Sequence, residues 1–524
     1  MIAKLIAYGR DRSEAHARLR RALTQTTVVV RDGITNKAFL QELLALPELA
    51  TGEVDVGWVD RSPELVDRLG TQHADVALVA AAIAAYEEEA AVEIRQFRSS
   101  ADRGRPEIED RVGRVVELRR GGQAYRFDVF QVSADRFRVE VDGVGIEVER
   151  QPLGPRAGDR MTFGAHTHHV LAAVQGITHL VEVDGHTHRI VHDEGGVIRA
   201  PSPAVIVAVS VSVGEEVEPG DRLAVIEAMK METAIIAEFA GRVREVLVRD
   251  NSQVAAGAPL LVLEPTEQNG EASDEARVDF SGLAAADDIA HDRCRHYLDG
   301  VRQLLLGYDV DVARLEAMAS GSDQPCSDPL EPREQMAMEE AILSLFVDVI
   351  ALFRRNPLDE ELGSVARRAT EEYLFDYLRR LEAQGESLPD SFVDQLQATL
   401  AHFGVTSLTP TTELETALFR ITRSHQRMPS QIGPVLRVLE NRLDHPTPGA
   451  DPTLAGLLDR LTRDTRHRFP AVHDLAAELN YRTFDEPFLA EIRADALEDA
   501  ERHLAHLETD PDGPERSTHV EALV

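Results

Sequence analysis

Within this 524-residue chain, Glu227-Ala228-Met229-Lys230-Met231-Glu232 is the segment whose residue types best suit chemistry. Lys230 is a primary amine between two methionines. Such an amine can be acylated, which removes its charge and attaches whatever the acyl group carries. Met229 and Met231 offer flexible, polarizable side chains suited to docking on more than one surface. The chain has only three lysines, Lys4, Lys37 and Lys230, among 56 Lys+Arg, so a lysine in such a context stands out. On residue type alone Lys230 reads as an ordinary solvated hairpin lysine. Its place in the chain changes that reading.

Residues 204–227 align on 241–264 at an offset of 37. Identical pairs are Val209/Val246, Val211/Val248, Val217/Val254, Gly220/Gly257, Leu223/Leu260, Val225/Val262 and Glu227/Glu264. Ile206/Val243, Ile226/Leu263 and the turn pair Gly214/Asn251 are chemically matched. Glycine, turn and apolar positions keep one register, which predicts one supersecondary unit used twice and packed as a pseudo-twofold sandwich. Lys230 falls where the first unit hands over to the second, the place for an exposed hairpin tip.

Ala228-Met229-Lys230-Met231 at the centre of a β-repeat of this size resembles the biotinyl domain of biotin-dependent carboxylases. The resemblance implies covalent biotin on Lys230, with Glu227, Ala228, Met229 and Met231 around it, attached by a biotin protein ligase. One biotin ring nitrogen would take up CO2 at one active site and release it at another. The lipoyl domain is the nearest competitor, but it typically shows Asp-Lys-Ala at the tip, without flanking methionines. Biotinyl domains often begin Ala-Pro-Met-Pro-Gly, whereas this chain has Ala200-Pro201-Ser202-Pro203-Ala204. That departure alters the first turn and not the modification site.

The start of the chain resembles the C-terminal end of a biotin carboxylase domain, through Met1-Ile2-Ala3-Lys4-Leu5-Ile6-Ala7-Tyr8-Gly9, Arg18-Leu19-Arg20-Arg21-Ala22-Leu23, Gly33-Ile34-Thr35-Asn36 and Gly52-Glu53-Val54-Asp55. Met1–Ala7 and Val28-Val29-Val30 read as strands. Ser13 and Thr35-Asn36 read as helix caps. A chain that begins directly on a strand reads as one cut into. The ATP-grasp region of that family is absent, so an ATP site is expected only on a partner or missing segment. Lys4 and Lys37 read as surface or packing residues.

A helix is predicted over 73–98, with Val76, Val79, Ile83 and Tyr86 on one face. The β-rich region after it, 111–199, alternates in Tyr125-Arg126-Phe127-Asp128-Val129 and Phe137-Arg138-Val139-Glu140-Val141, which predicts an antiparallel barrel or sandwich. Asp142-Gly143 and Asp184-Gly185 are hairpin turns of the positive-φ type. Helix plus barrel resembles the connector between carboxylase and transferase components. Tyr297-Leu298-Asp299-Gly300 and Leu304 to Val310 resemble the stretch after the biotinyl domain in large fused acyl-CoA carboxylases.

The expected fold is thus multidomain α+β. It comprises an α/β remnant (1–66), a helix and barrel-like connector (67–195), a hammerhead-type flattened sandwich (196–265), a mobile linker (266–280), an all-α domain (281–507) and a frayed tail (508–524). Stripes at Met338, Ile342, Leu345, Val349 and Leu352, stopped by Asn356-Pro357, and at Tyr373, Leu374, Tyr377, Leu378 and Leu381 predict helix core.

His166, His168, His169, His186, His188 and His192 fall close together. His166 with His168, and His186 with His188, share a strand face by alternation, which admits a zinc or other divalent site; no carboxylate or cysteine completes a known ligand pattern, so they read as solvated barrel histidines and no metal is assigned. Ser13 and Ser210 lack a nucleophile-elbow context, and no catalytic residue is assigned. A net charge of -35 argues against nucleic acid or an anionic membrane as partner. Two cysteines, Cys294 and Cys326, fit a reducing cytoplasm.

The reading is a biotin carboxyl carrier and scaffold component of an acyl-CoA carboxylase, a ligase-class enzyme, in an oligomeric complex with biotin carboxylase and carboxyltransferase supplied elsewhere. The alternatives are a non-catalytic scaffold that binds carboxylase subunits, and a lipoyl carrier.

Overall fold

The computed structural model describes all residues except 1–2, 27, 29, 31–34, 56, 60–71, 102–105, 107, 109–110, 155–156, 176–177, 193–196, 229–230, 238, 255–257, 266–275, 285–292, 321–329, 355–368, 380–387, 446–451, 510 and 524. The chain divides into two compact units. One holds residues 1–288 with 308–310, the other 289–307 with 311–524.

The first unit opens with helices α1 (Arg12–Gln25), α2 (Lys37–Ala45) and α3 (Pro47–Thr51). No strand forms at residues 3–9, 28 or 30, which corrects the expected strands at Met1–Ala7 and Val28–Val30 wherever they are described. The cap of α1 is Asp11, whose carboxylate accepts from Glu14 N at 2.8 Å, rather than Ser13. Asn36 stands at the start of α2 without a side-chain cap bond. Helix α3 ends on Gly52 at φ 86°, the left-handed C-cap that glycine adopts without Cβ strain.

Helix α4 (Ala74–Ala101) is buried on all sides over its first half. Leu78, Ala81 and Ala82 are as inaccessible as Val76, Val79 and Ile83, so the one-faced amphipathic reading is corrected. A helix apolar all round belongs inside a core. Here it packs against strands of an eight-stranded antiparallel barrel: β1 (Arg114–Arg120), β2 (Gln123–Gln131), β3 (Arg136–Val141), β4 (Val144–Gly154), β5 (Gly158–Phe163), β6 (His166–Gln175), β7 (Thr178–Val183) and β8 (His186–His192). The barrel closes by β1 pairing β8, Leu118↔His192. Val116, Leu118, Tyr125, Phe127, Val129, Phe137, Val139 and Ile146 join α4 in one core. The alanine run keeps α4 thin enough to be packed by strands on several sides. Asp142, Gly143, Asp184 and Gly185 all have positive φ, as the hairpin signals require.

Residues 276–280 are docked on this barrel, which corrects their assignment to a mobile linker. Arg277 pairs with Asp142 at 2.7 Å, Val278 N donates to Tyr125 Oη at 3.0 Å, and Phe280 is 1% exposed, edge-on to Phe127.

The sandwich that follows contains β9 (Val197–Arg199), β10 (Ala204–Val209), β11 (Glu216–Val217), β12 (Arg222–Ala228), β13 (Met231–Ile236), β14 (Gly241–Val246), β15 (Gln253–Val254) and β16 (Pro259–Pro265). Its sheets run β13-β12-β10-β15 and β11-β14-β16-β9.

The second unit is helical. The Pro332–Leu352 helix buries Ile342, Leu345, Val349 and Leu352 and leaves Met338 half-buried. In the Thr370–Arg379 helix Leu374 and Leu378 are buried, and Tyr373 and Tyr377 half-buried. Asn356, Pro357 and Leu381 lie outside the described residues. Asp348, 3% exposed, accepts from His402 Nε2 at 2.8 Å and pairs with Arg460. Burial works against its ionisation, but those two partners hold its carboxyl below the usual range. Cys294 is buried and disulfide-bonded, and Cys326 lies outside the described residues. The stretch expected to fray instead carries the Arg516–Leu523 helix, packed on Glu486–Thr509. Among the described residues, no helix is long and apolar enough to cross a membrane.

Candidate functional site

The repeat sets the geometry around Lys230. Strands β10, β11 and β12 recur as β14, β15 and β16 with every boundary displaced by 37 residues. The bulge between Ile206 and Ala208 recurs between Val243 and Glu245. Gly214 N donates to Val243 O at 2.7 Å, and its mate Asn251 N donates to Ile206 O at 2.7 Å. Both turn residues are left-handed, Gly214 at φ 91° and Asn251 at φ 62°, conformations that glycine and asparagine tolerate. The short strands are exchanged, since β15 pairs β10 and β11 pairs β14. Ile206, Leu223, Ala224, Ile226, Val243, Leu260, Leu261 and Leu263 fill the space between the sheets.

The symmetry extends beyond the repeat seen in the sequence. The pairing Arg222↔Ile236 of β12 with β13 has its mate in Pro259↔Arg199 of β16 with β9. Strand β9 is therefore the twofold counterpart of the end of β13. The pseudo-twofold carries the β12–β13 hairpin end onto the places where the chain enters at Val197 and leaves at Pro265.

Pairing of β12 with β13 runs through Glu227↔Glu232 to Ala228↔Met231. Glu227 is exposed, Ala228 half-buried and Met231 71% exposed. Met229 and Lys230, the two residues between these strands in sequence, lie outside the described residues. The flanking strand ends thus present a solvent-facing methionine and an opposed pair of exposed carboxylates. At the altered entry turn, Ala200 is buried and its N–H bonds Ala258 O at 2.9 Å, while Ala204 is buried at the start of β10.

The barrel histidines divide differently from expectation. His166 and His169 are exposed, but His186, His188 and His192 are 6%, 4% and 8% exposed. They point inward on β8, so the solvated reading is corrected for all three. His179, left out of the sequence reading, is fully buried on β7 and faces His192 edge-on at 5.8 Å. Burial pushes both His179 and His188 down to about 4. A carboxylate does reach the cluster: Asp184 Oδ2 lies 2.7 Å from His168 Nδ1, with His73 beside them. No local signal marked His73, because it meets His168 only through folding.

Residues 196–263 match the family model described as "Biotin-requiring enzyme", and residues 1–61 match "Biotin carboxylase C-terminal domain". Two segments of the chain thus carry the domains that these models describe, a biotin-requiring-enzyme domain and the C-terminal domain of a biotin carboxylase. The propionyl-CoA carboxylase alpha chain of Rattus norvegicus is 26% identical over 292 residues, which cover 50% of this chain and 38% of that protein. The biotin carboxyl carrier protein of acetyl-CoA carboxylase from Haemophilus influenzae is 41% identical over 70 residues, 13% of this chain and 44% of that one. The solved single-chain, multi-domain long-chain acyl-CoA carboxylase aligns with 48% of this chain and 13% of its own, at 19% identity and a TM-score of 0.13. The chain therefore spans about two fifths of the length of the first two relatives. In chain order the helix and barrel fall between the two matched segments.

Proposed function

We propose that this chain is a biotin carboxyl carrier and scaffold component of an acyl-CoA carboxylase, with biotin joined to Lys230 as an amide. The observation that carries the reading is the duplicated sandwich whose β12–β13 hairpin brackets Met229-Lys230. Attached there, biotin supplies a ureido nitrogen that accepts and gives up a carboxyl group. The protein's share is positional. The packed core between the sheets fixes the hairpin strands, and Met231 offers an adaptable apolar contact to whichever active site the arm enters. Glu227 and Glu232 keep the strand ends hydrated and give an incoming surface a charge to read.

The partners implied are a biotin protein ligase, a biotin carboxylase site and a carboxyltransferase site, within an oligomeric complex. ATP is to be bound by the carboxylase partner. The test is carboxyl loading. The ligase-treated chain, incubated with a biotin carboxylase, ATP and labelled bicarbonate, acquires label, and Lys230→Arg does not. If the treated chain never takes label yet still co-purifies with carboxylase subunits, the scaffold alternative holds.

A further inference from the structure

The strongest unassigned cluster lies in the first unit, where the residue before α4 meets β6 and the β7–β8 hairpin. His73, His168 and Asp184 each offer a ligand atom, and these atoms lie within 4.8 Å of one another. His73's ring is 5.1 Å from His168's and 5.5 Å from His186's, so His73 has an imidazole neighbour on each of two strands. Asp184 Oδ1 accepts from His169 N at 2.9 Å, which fixes the carboxylate while Oδ2 faces His168.

A second observation points to a ligand. His186 is 94% buried, its Nδ1 has no hydrogen-bond partner, and its ring abuts His73. An orphaned buried imidazole nitrogen costs free energy unless something fills its lone pair or takes its proton. Two imidazoles and one carboxylate, with a third imidazole beside His73, form an N/O donor set that suits zinc and its neighbours, not magnesium or calcium. Tetrahedral bonds of about 2.0–2.1 Å put ligand atoms about 3.4 Å apart, within reach of side-chain rotation from the observed spacing.

We propose that His73, His168 and Asp184, with His186 behind them, bind a divalent transition-metal ion of the zinc class. Access is open, because the Asp184 side chain is 38% exposed. The ion would tie the start of the barrel-filling helix α4 to two strand ends far away in sequence. It would act as a structural staple, separate from the carrier hairpin.

The experiment uses the untagged full chain, stripped with chelator and titrated with zinc by calorimetry, with bound metal measured after dialysis. His73→Asn and Asp184→Asn are the informative variants. Asparagine tolerates the left-handed backbone of both positions, φ 58° and 48°. At 184 it can also still accept from His169 N. The wild type is expected to hold one zinc per chain at this site, and each variant, lacking a direct ligand, to lose more than the about ten- to hundredfold in affinity that removing an outer-shell partner costs. The exposed neighbour variant His166→Gln should match the wild type. Cobalt substitution should give the intense visible bands of a tetrahedral N/O site. A wild type that retains no zinc, or variants that bind it as tightly as wild type, would overturn the proposal.

Discussion

Lys37 Nζ donates to Glu182 Oε1 at 2.5 Å, with both side chains only 6% exposed. This pair ties α2 to the outer face of β7, across 145 residues of sequence. Truncating one partner leaves a buried charge alone, which typically costs about 3–5 kcal/mol, whereas an apolar pair of similar volume is often tolerated. Lys37→Ala should therefore lower the barrel's urea midpoint strongly, and Lys37→Met with Glu182→Leu should recover most of it. Equal loss in both proteins would contradict this and show that apolar packing cannot replace the ion pair.

Acid should loosen the same barrel. His179 is fully buried, and burial, with a smaller push from His192, lowers it to about 4 from an ordinary 6.5. The unfolded chain therefore takes up the proton first as pH falls. Stability is fully present above about 6.5 and declines toward pH 4, by about 2 kcal/mol between pH 7 and 5. His179→Leu should flatten that part of the slope in denaturant titrations at the two pH values. A variant with the wild-type slope would assign the acid sensitivity elsewhere.

The two turns of the sandwich offer a matched pair of backbone tests. A Cβ at Gly214 would meet nothing within 4 Å, so Gly214→Ala isolates the backbone cost of φ 91°, about 1–2 kcal/mol. Asn251→Gly should be close to neutral, because glycine also adopts φ 62° freely. Thermal melts of both variants in the full chain give the comparison. A Gly214→Ala protein as stable as wild type would mean that the turn relaxes out of the left-handed region.

What the sequence made legible follows from range. The duplicated unit was readable because a fixed offset preserves turn, bulge and core positions together, as Gly214/Asn251 and Ile206/Val243 show. Asp142-Gly143 and Asp184-Gly185 were readable because a two-residue turn is decided by its own residues. Contacts distant in sequence were not. Nothing local in Arg277-Val278-Asp279-Phe280 announces Asp142, Tyr125 and Phe127 as neighbours. Val76, Val79, Ile83 and Tyr86 read as one apolar face because the use of the alanines between them, fitting a helix among barrel strands, depends on strands formed later in the chain. The place of β9 in the twofold lay outside the aligned repeat for a related reason. It matches β13 by its pairing, Arg199 taking the place of Ile236, and not by residue identity.

The most direct test of the carrier account is the mass of the chain after co-expression with a biotin protein ligase, followed by peptide mapping. The account predicts the mass of one biotinyl group, located on the peptide containing Lys230 and absent from Lys230→Arg. An unmodified Lys230, a biotin on Lys4 or Lys37, or a lipoyl mass at Lys230 would contradict it.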